Sequence, residues 1–171
     1  MGRWQMTAEF YVDGKEKADE PFVYRLSGLD DVVLLNGFTR HETEYGMGVS
    51  IDHVEQLHDT IAMRIVTTKK EISPKEFLFL RRELGMTQDE LGQKLGVDGQ
   101  TVARYEKGTT SISGPADRLI RVLAIIKIIP EEQMKRILIE AEAAVARDDR
   151  HCDRPAAFRE NHGKWEEVCY A

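Results

Sequence analysis

Residues 87–108 read TQDELGQKLGVDGQTVARYEKG, and this stretch decides the fold. Thr87 followed three residues later by Glu90 is a capping box, which satisfies free amides at the start of a helix. Leu91 and Leu95 stand one turn apart and give that helix a buried stripe. Gly96 ends it, because glycine takes the left-handed conformation of a helix C-terminus without a Cβ clash. Asp98 can cap a second helix, in which Val102 and Tyr105 point inward. Gly99, Gln100, Thr101, Arg104 and Lys107 remain for the outside, and Gly108 stops the helix. Two helices hinged at so tight a glycine turn carry the helix-turn-helix pattern.

The flanks complete a small bundle. Ser73-Pro74-Lys75-Glu76 caps an earlier helix with proline in its first turn. Phe77, Leu80 and Leu84 give that helix an apolar face, and Gly85 ends it. After the motif, Gly114-Pro115 opens a further helix with Ala116, Leu119, Leu123 and Ile126 inward. Residues 71–127 therefore predict four helices around one core.

This segment resembles the Xre-type, lambda-repressor-like helix-turn-helix family. The residues that carry the resemblance are Thr87-Gln88, Glu90-Leu91, Leu95-Gly96-Val97, Gln100-Thr101-Val102 and Tyr105-Glu106-Lys107-Gly108, within about a third of the chain. The resemblance implies that the helix from Gly99 to Lys107 enters the major groove. It also implies that Gln88, at the start of the preceding helix, clamps a phosphate. On that reading Arg104 could bond a guanine through O6 and N7, and Gln100 an adenine through N6 and N7, each worth roughly 1–3 kcal/mol of discrimination. Thr101 can donate to a phosphate or touch a thymine methyl, and Lys107 suits the backbone. Gly99 stands where many relatives carry a longer polar residue. It either lets the helix approach closely or removes one base contact. The competing reading is a helical pair used only for packing, in a protein-binding module.

Composition bounds the rest. The chain has 171 residues, 42% hydrophobic, enough for one ample globular domain or two small ones. Its net charge of −6 argues at first against a polyanionic partner. The charge is unevenly spread: residues 1–68 carry 6 Lys/Arg against 12 Asp/Glu, residues 69–127 carry 11 against 8, and residues 128–171 carry 7 against 10. The one positive segment coincides with the helix-turn-helix, where phosphate contacts need it. The modest excess predicts weak non-specific binding and a strong dependence on salt.

No stretch approaches the ~20 apolar residues of a membrane span, and MGRWQMTAEF has no apolar signal region. The two cysteines, Cys152 and Cys169, make no secreted disulfide framework. Reduced thiols in a cytoplasmic protein are expected. There is no GxGxxG, P-loop, G-x-S-x-G or HExxH. The acidic pair Asp30-Asp31 would point to opposite faces of a strand. Neither an enzyme nor a cofactor is expected.

Residues 1–21 read as a flexible arm or an edge hairpin. From Phe22 the pattern turns β-prone, with Phe22-Val23-Tyr24 and Val32-Val33-Leu34-Leu35 punctuated by turns at Ser27-Gly28, Asn36-Gly37 and Tyr45-Gly46. Asp52 can cap a helix with Val54, Leu57, Ile61 and Ile65 on one face. Residues 22–68 thus predict a small antiparallel sheet followed by a helix. The string YRLSGLDDVVLLNGFTRHETEYGMGVSIDHVEQLH is similar to the front domain of YgiT/MqsA-type regulators. That resemblance implies a front domain joined to an Xre-type helix-turn-helix, and in many members an antitoxin role. The zinc cysteines of the metal-binding members are missing: Ser27 precedes Gly28, and no cysteine occurs before Cys152. Zinc wants four such ligands, and His41, Glu42, Glu44, His53 and His58 have no spacing that replaces them. No metal is expected.

Pro130-Glu131-Glu132 begins a last helix, in a segment 129–148, with Met134, Ile137, Leu138, Ala141 and Ala144 or Val145 as its stripe. It either packs on the bundle at residues 69–128 or pairs with its mate in a dimer. Residues 149–171 read as a charged, irregular polar tail in which Trp165, Val168 and Tyr170 could dock. The expected class is α+β, a β-rich front domain with an all-α helix-turn-helix bundle. The expected function is a dimeric repressor bound to double-stranded operator DNA, with no membrane partner. The alternative is an antitoxin of a type II pair that neutralises a partner toxin and autoregulates its operon.

Overall fold

The computed structural model describes residues 11–12, 16–17, 21–44, 46–129, 131–145 and 156–168. The fold is mixed α+β. Among the described residues, eight strands and six α-helices follow in the order β1 (Tyr11–Val12), β2 (Glu16–Lys17), β3 (Phe22–Val23), β4 (Val32–Leu34), β5 (Phe38–Thr43), β6 (Gly46–Ile51), α1 (Val54–Thr68), α2 (Pro74–Glu83), α3 (Gln88–Leu95), α4 (Gly99–Lys107), α5 (Gly114–Ile128), α6 (Glu131–Val145), β7 (Ala156–Asn161) and β8 (Lys164–Val168). They form two compact units. Among the described residues, one unit comprises those before residue 58, except 27–29, together with 156–168. The other comprises 27–29 and 58–145.

The first unit is built on a four-stranded sheet of order β3-β4-β7-β8. Its central strand β4 is buried at every position, as a strand covered on both faces must be. β3 pairs antiparallel with β4, but β4 pairs parallel with β7, setting Val32 against Ala156 and Leu34 against Phe158. The Asn36 side chain extends this ladder: its Nδ2 donates to the Glu160 carbonyl at 3.2 Å, and its Oδ1 accepts from the Glu160 amide at 2.7 Å. Trp165 is buried and donates its indole N–H to the Asp52 carbonyl at 3.0 Å. The ring lies over Gly37, whose φ is +71° and where an added Cβ would come within 2.6 Å of the indole. β5 and β6 form a separate antiparallel hairpin, and β1 pairs with β2.

Within residues 22–68 the strand pairs β3–β4 and β5–β6 are both antiparallel, as the sequence predicts. The four-stranded sheet is mixed because β7, from outside that segment, joins it in parallel, and one correction follows. The segment read as an irregular tail supplies two of the sheet's four strands, with Val168 packed on Val33, Leu35 and Ala157. One partner of β7, the strand β4, lies more than a hundred residues earlier, and the local signal, the hairpin turn at His162-Gly163 that joins β7 to β8 with both residues at positive φ, is absent from the sequence reading. Most of the arm at 1–21, the turn residue Tyr45, and His151, Cys152, Cys169 and Tyr170 lie outside the described residues.

In the second unit the expected caps form. Ser73 and Glu76 close a capping box on α2, with Pro74 at its start. Phe77 and Leu80 are fully buried, and Phe79 joins them. In α1 the stripe is Leu57, Ile61 and Ile65, widened by Ala62 and Val66, while Val54 is exposed.

The face of α5 needs a further correction. The sequence predicts Ala116, Leu119, Leu123 and Ile126 inward. The structure buries Ala116, Ile120, Ala124 and Ile125, and Ile126 is 52% exposed. The run RLIRVLAIIKI is apolar almost all round, so spacing alone selects no face. Arg121 selects it. This arginine is 2% exposed. It donates to the carbonyls of Ile65 (3.3 Å), Val66 (2.9 Å) and Lys70 (3.3 Å), and its Nε to Asp117 (2.5 Å). Helices run out of intrahelical donors at their C-terminal carbonyls, and here a buried guanidinium supplies donors to the end of α1. In α6, Ala141 and Ala144 are buried and Ile137 and Leu138 half-buried. The side chains of Met134 and Val145 lie outside the described residues, as do residues 146–148.

Candidate nucleic-acid interface

The interface is assembled by two caps and one turn. Thr87 accepts the Glu90 amide, and the Glu90 carboxylate accepts the Thr87 amide at 2.7 Å and hydroxyl at 2.9 Å. These bonds, the backbone one first, hold the Glu90 carboxyl below the ordinary range. Gly96 takes φ +71°, and the Val97 amide returns to the Gly92 carbonyl at 3.0 Å. Asp98 then caps α4, accepting the Thr101 amide at 2.6 Å. Hydrogen bonds from the Thr101 side chain and backbone, with Arg104 adding attraction, hold the Asp98 carboxyl low. Gly108 at φ +69° ends the helix.

Packing sets which face of α4 turns out. Leu91 and Val102 are fully buried, and Tyr105 meets the Phe77 ring edge-on at 5.7 Å between centroids. Gly92 is the close-approach point of the pair. A Cβ there would lie 2.8 Å from the Val97 carbonyl oxygen, a backbone atom that cannot swing away. Gly92 was not among the residues singled out from sequence. The signal was a glycine in the middle of a strongly capped helix, where it costs about 1 kcal/mol unless something needs the room.

With that face buried, Gln100, Arg104 and Lys107 are exposed, and Gly99 and Thr101 are partly so. Arg104 Nη2 reaches Gln100 Oε1 at 3.5 Å, one turn back, so the two polar tips adjoin. At Gly99 an added Cβ would meet the Asp89 carboxylate, the exposed end of a flexible side chain that can swing aside, with the nearest backbone atom, Asp89 Cα, at 3.3 Å. Gln88 stands at the N-terminus of α3, and its Nε2 donates to Glu106 Oε2 at 2.7 Å. The structure therefore brings Gln88 beside the last turn of α4. Arg81 completes that cluster through Glu106. Its part was not visible in the sequence, because it depends on a contact across 25 residues.

The positive charge of this region is partly used internally. Arg81 pairs with Glu106, Arg121 with Asp117 and Lys69 with Glu76. Arg82, Lys94, Arg104, Lys107 and Arg118 are exposed. Three of the described histidines have structural roles. His41 Nε2 lies 2.8 Å from Ser50 Oγ, His53 takes a left-handed turn at φ 47°, and His58 pairs with Glu83 at 2.9 Å. Among the described residues, no three His, Cys, Asp or Glu side chains are grouped to hold a metal ion. Nor is any helix there long and apolar enough to cross a membrane.

Comparison with known proteins agrees on this region. Residues 79–116, from α2 into the first turn of α5, match the family model described as Helix-turn-helix. The match includes none of the residues 24–58 that carry the YgiT/MqsA-type resemblance. No curated protein and no solved structure matches the chain. Sequence family and geometry coincide on α3 and α4: this chain carries an Xre-like helix-turn-helix domain.

Proposed function

We propose that the protein is a sequence-specific DNA-binding transcriptional regulator, acting as a dimeric repressor that reads the major groove with α4. The observation that carries this reading is the division of α4 into two faces. Val102 and Tyr105 lock one face into the bundle, while Gln100, Arg104 and Lys107 project from the other on a helix capped at both ends. A rigid helix with adjoining amide and guanidinium tips has the donors and acceptors that base edges distinguish. Lys107 and the N-terminus of α3, with Gln88 on it, suit phosphates, which hold register without reading sequence. Thr101 lies between these two roles.

The dimer completes the reading, because one nine-residue helix touches too few base pairs to select a site in a genome. The test is selection of duplexes from a random pool by the purified protein, followed by sequencing. An inverted repeat with half-site centres about 34 Å apart is expected. A pool that stays random would remove the reading. A toxin-neutralising role is a second reading, favoured by the exposed Met47 on the β5–β6 hairpin together with the resemblance of residues 24–58. Relief of growth inhibition on co-expression with the product of an adjacent gene would support it.

A further inference from the structure

An acidic residue on a helix that faces DNA is unexpected, because a carboxylate repels phosphates. Glu106 lies in the last turn of α4 and is nonetheless built in. Its side chain is 6% exposed. Oε1 accepts from Arg81 Nε at 2.5 Å, and Oε2 accepts from Arg81 Nη2 at 3.2 Å and from Gln88 Nε2 at 2.7 Å. Arg81 Nη1 donates in turn to the Met86 carbonyl at 2.6 Å, one residue before the Thr87 cap. One guanidinium therefore ties α2, the approach to α3 and the end of α4 together.

We infer that Glu106, held by Arg81, is a positioning residue for DNA binding that acts through Gln88. The inference rests on the DNA-binding reading above and deepens it. The Gln88 amide nitrogen carries two protons. Glu106 takes one and so fixes the plane of the amide, which leaves the second for a phosphate oxygen. Arg81 matches the carboxylate with a bidentate fork. The carboxylate can then orient Gln88 without offering the DNA an uncompensated negative charge. The same fork sets the start of α3 against α4, hence the phosphate clamp against the base-reading helix.

The sign of the effect separates this inference from simple electrostatics. If Glu106 acts only by its charge, Glu106→Gln should tighten DNA binding. If it positions Gln88, Glu106→Gln should weaken it. The test is a double-mutant cycle of Glu106→Gln and Gln88→Ala on the duplex chosen by selection. Side-chain amide NMR of Gln88 in the free protein gives a readout that needs no DNA. Glu106→Gln should weaken binding at least about five-fold in the wild-type background and less than about two-fold beside Gln88→Ala, since only coupled residues depart from additivity. The Gln88 side-chain amide resonances should shift in Glu106→Gln, and the preferred sequence should be retained. Equal losses in both backgrounds, tighter binding, or unshifted Gln88 resonances would overturn the positioning role while DNA binding itself stood. Failure of the wild-type protein to prefer any duplex would overturn the proposed function, and this inference with it.

Discussion

The helix-turn-helix and the four-stranded sheet are held by interactions of very different reach. From Thr87 to Gly108 the caps and turns are closed by bonds that span three to five residues: Thr87 with Glu90, Gly92 with Val97, Asp98 with Thr101, Arg104 with Thr109. In the sheet they span most of the chain. Asn36 bonds Glu160 across 124 residues, and Trp165 bonds Asp52 across 113. A unit organised by short-range caps and turns carries its fold in each local choice. A unit organised by long-range pairing exists only once distant segments have met, at a cost in loop-closure entropy.

The contrast has exceptions inside the helical unit, Arg81–Glu106 and Gln88–Glu106 among them, and removing the most deeply buried, Arg121, should produce the largest effect. Arg121 reaches back more than fifty residues to the end of α1. Arg121→Met keeps the apolar stem but removes the guanidinium donors to the Ile65, Val66 and Lys70 carbonyls and the ion-pair partner of Asp117, leaving Ile65 with the Lys69 amide and Asp117 with the Ile72 amide. It should lower stability by about 3–5 kcal/mol, the cost of breaking a buried pair, read by urea unfolding. A loss below about 1 kcal/mol, the range of surface pairs, would show that Arg121 does not hold α1 in place.

Two glycines compare the units directly. Gly37→Ala drives a Cβ toward the Trp165 ring and strains a positive φ. Overpacking costs about 1–3 kcal/mol, with roughly 1–2 kcal/mol more for the left-handed backbone. Gly92→Ala clashes with the Val97 carbonyl but regains about 1 kcal/mol of helix propensity, so its net cost should be smaller. Their functional effects should be reversed. Gly92→Ala should reduce DNA affinity by separating α3 from α4, while Gly37→Ala should leave it unchanged. Loss of DNA binding in Gly37→Ala would break the contrast, since the sheet would then be needed to hold the helical pair.

The smallest expected effect is on pH. Glu90 and Asp98 have carboxyls held below their ordinary values in the folded chain. The unfolded chain therefore binds protons first as pH falls. Their contribution to stability is complete above the ordinary carboxyl range, from about pH 5 upward, and is lost as pH drops through the lowered folded values. Helical circular dichroism followed into acid should show a gentle loss. Asp98→Asn, an equally good cap without the charge, should flatten part of it.

The same contrast explains what the sequence discloses. The capping boxes at Ser73 and Thr87, the cap at Asp98 and the turns at Gly96 and Gly108 are legible because each is complete within a few residues. The outer residues of α4 are legible by subtraction, once Val102 and Tyr105 are assigned inward. The face of α5 is not legible: Leu119, Leu123 and Ile126 are as apolar as Ile120, Ala124 and Ile125, and Arg121 decides between them through carbonyls on α1. The strands at residues 156–168 are hidden for a related reason. Ala156-Ala157-Phe158 is too short an apolar run to announce a strand, and its burial comes from Val32-Val33-Leu34, although the Asn161-His162-Gly163 turn to β8 is a local hairpin signal. Glu106 stands in a recognisable motif, but its bonds to Arg81 and Gln88 emerge only when three helices meet.

Fluorescence anisotropy with the selected duplex and a scrambled one, at two salt concentrations, tests most directly whether α4 reads DNA. Wild type, Arg104→Ala and Lys107→Ala should be compared. Arg104→Ala should lose roughly 1–3 kcal/mol on the selected duplex and relax preference at one base pair, with little change on the scrambled one. Lys107→Ala should weaken both and lower the salt slope by about one. Wild-type selectivity in Arg104→Ala, or an equal loss on both duplexes, would contradict base reading by α4.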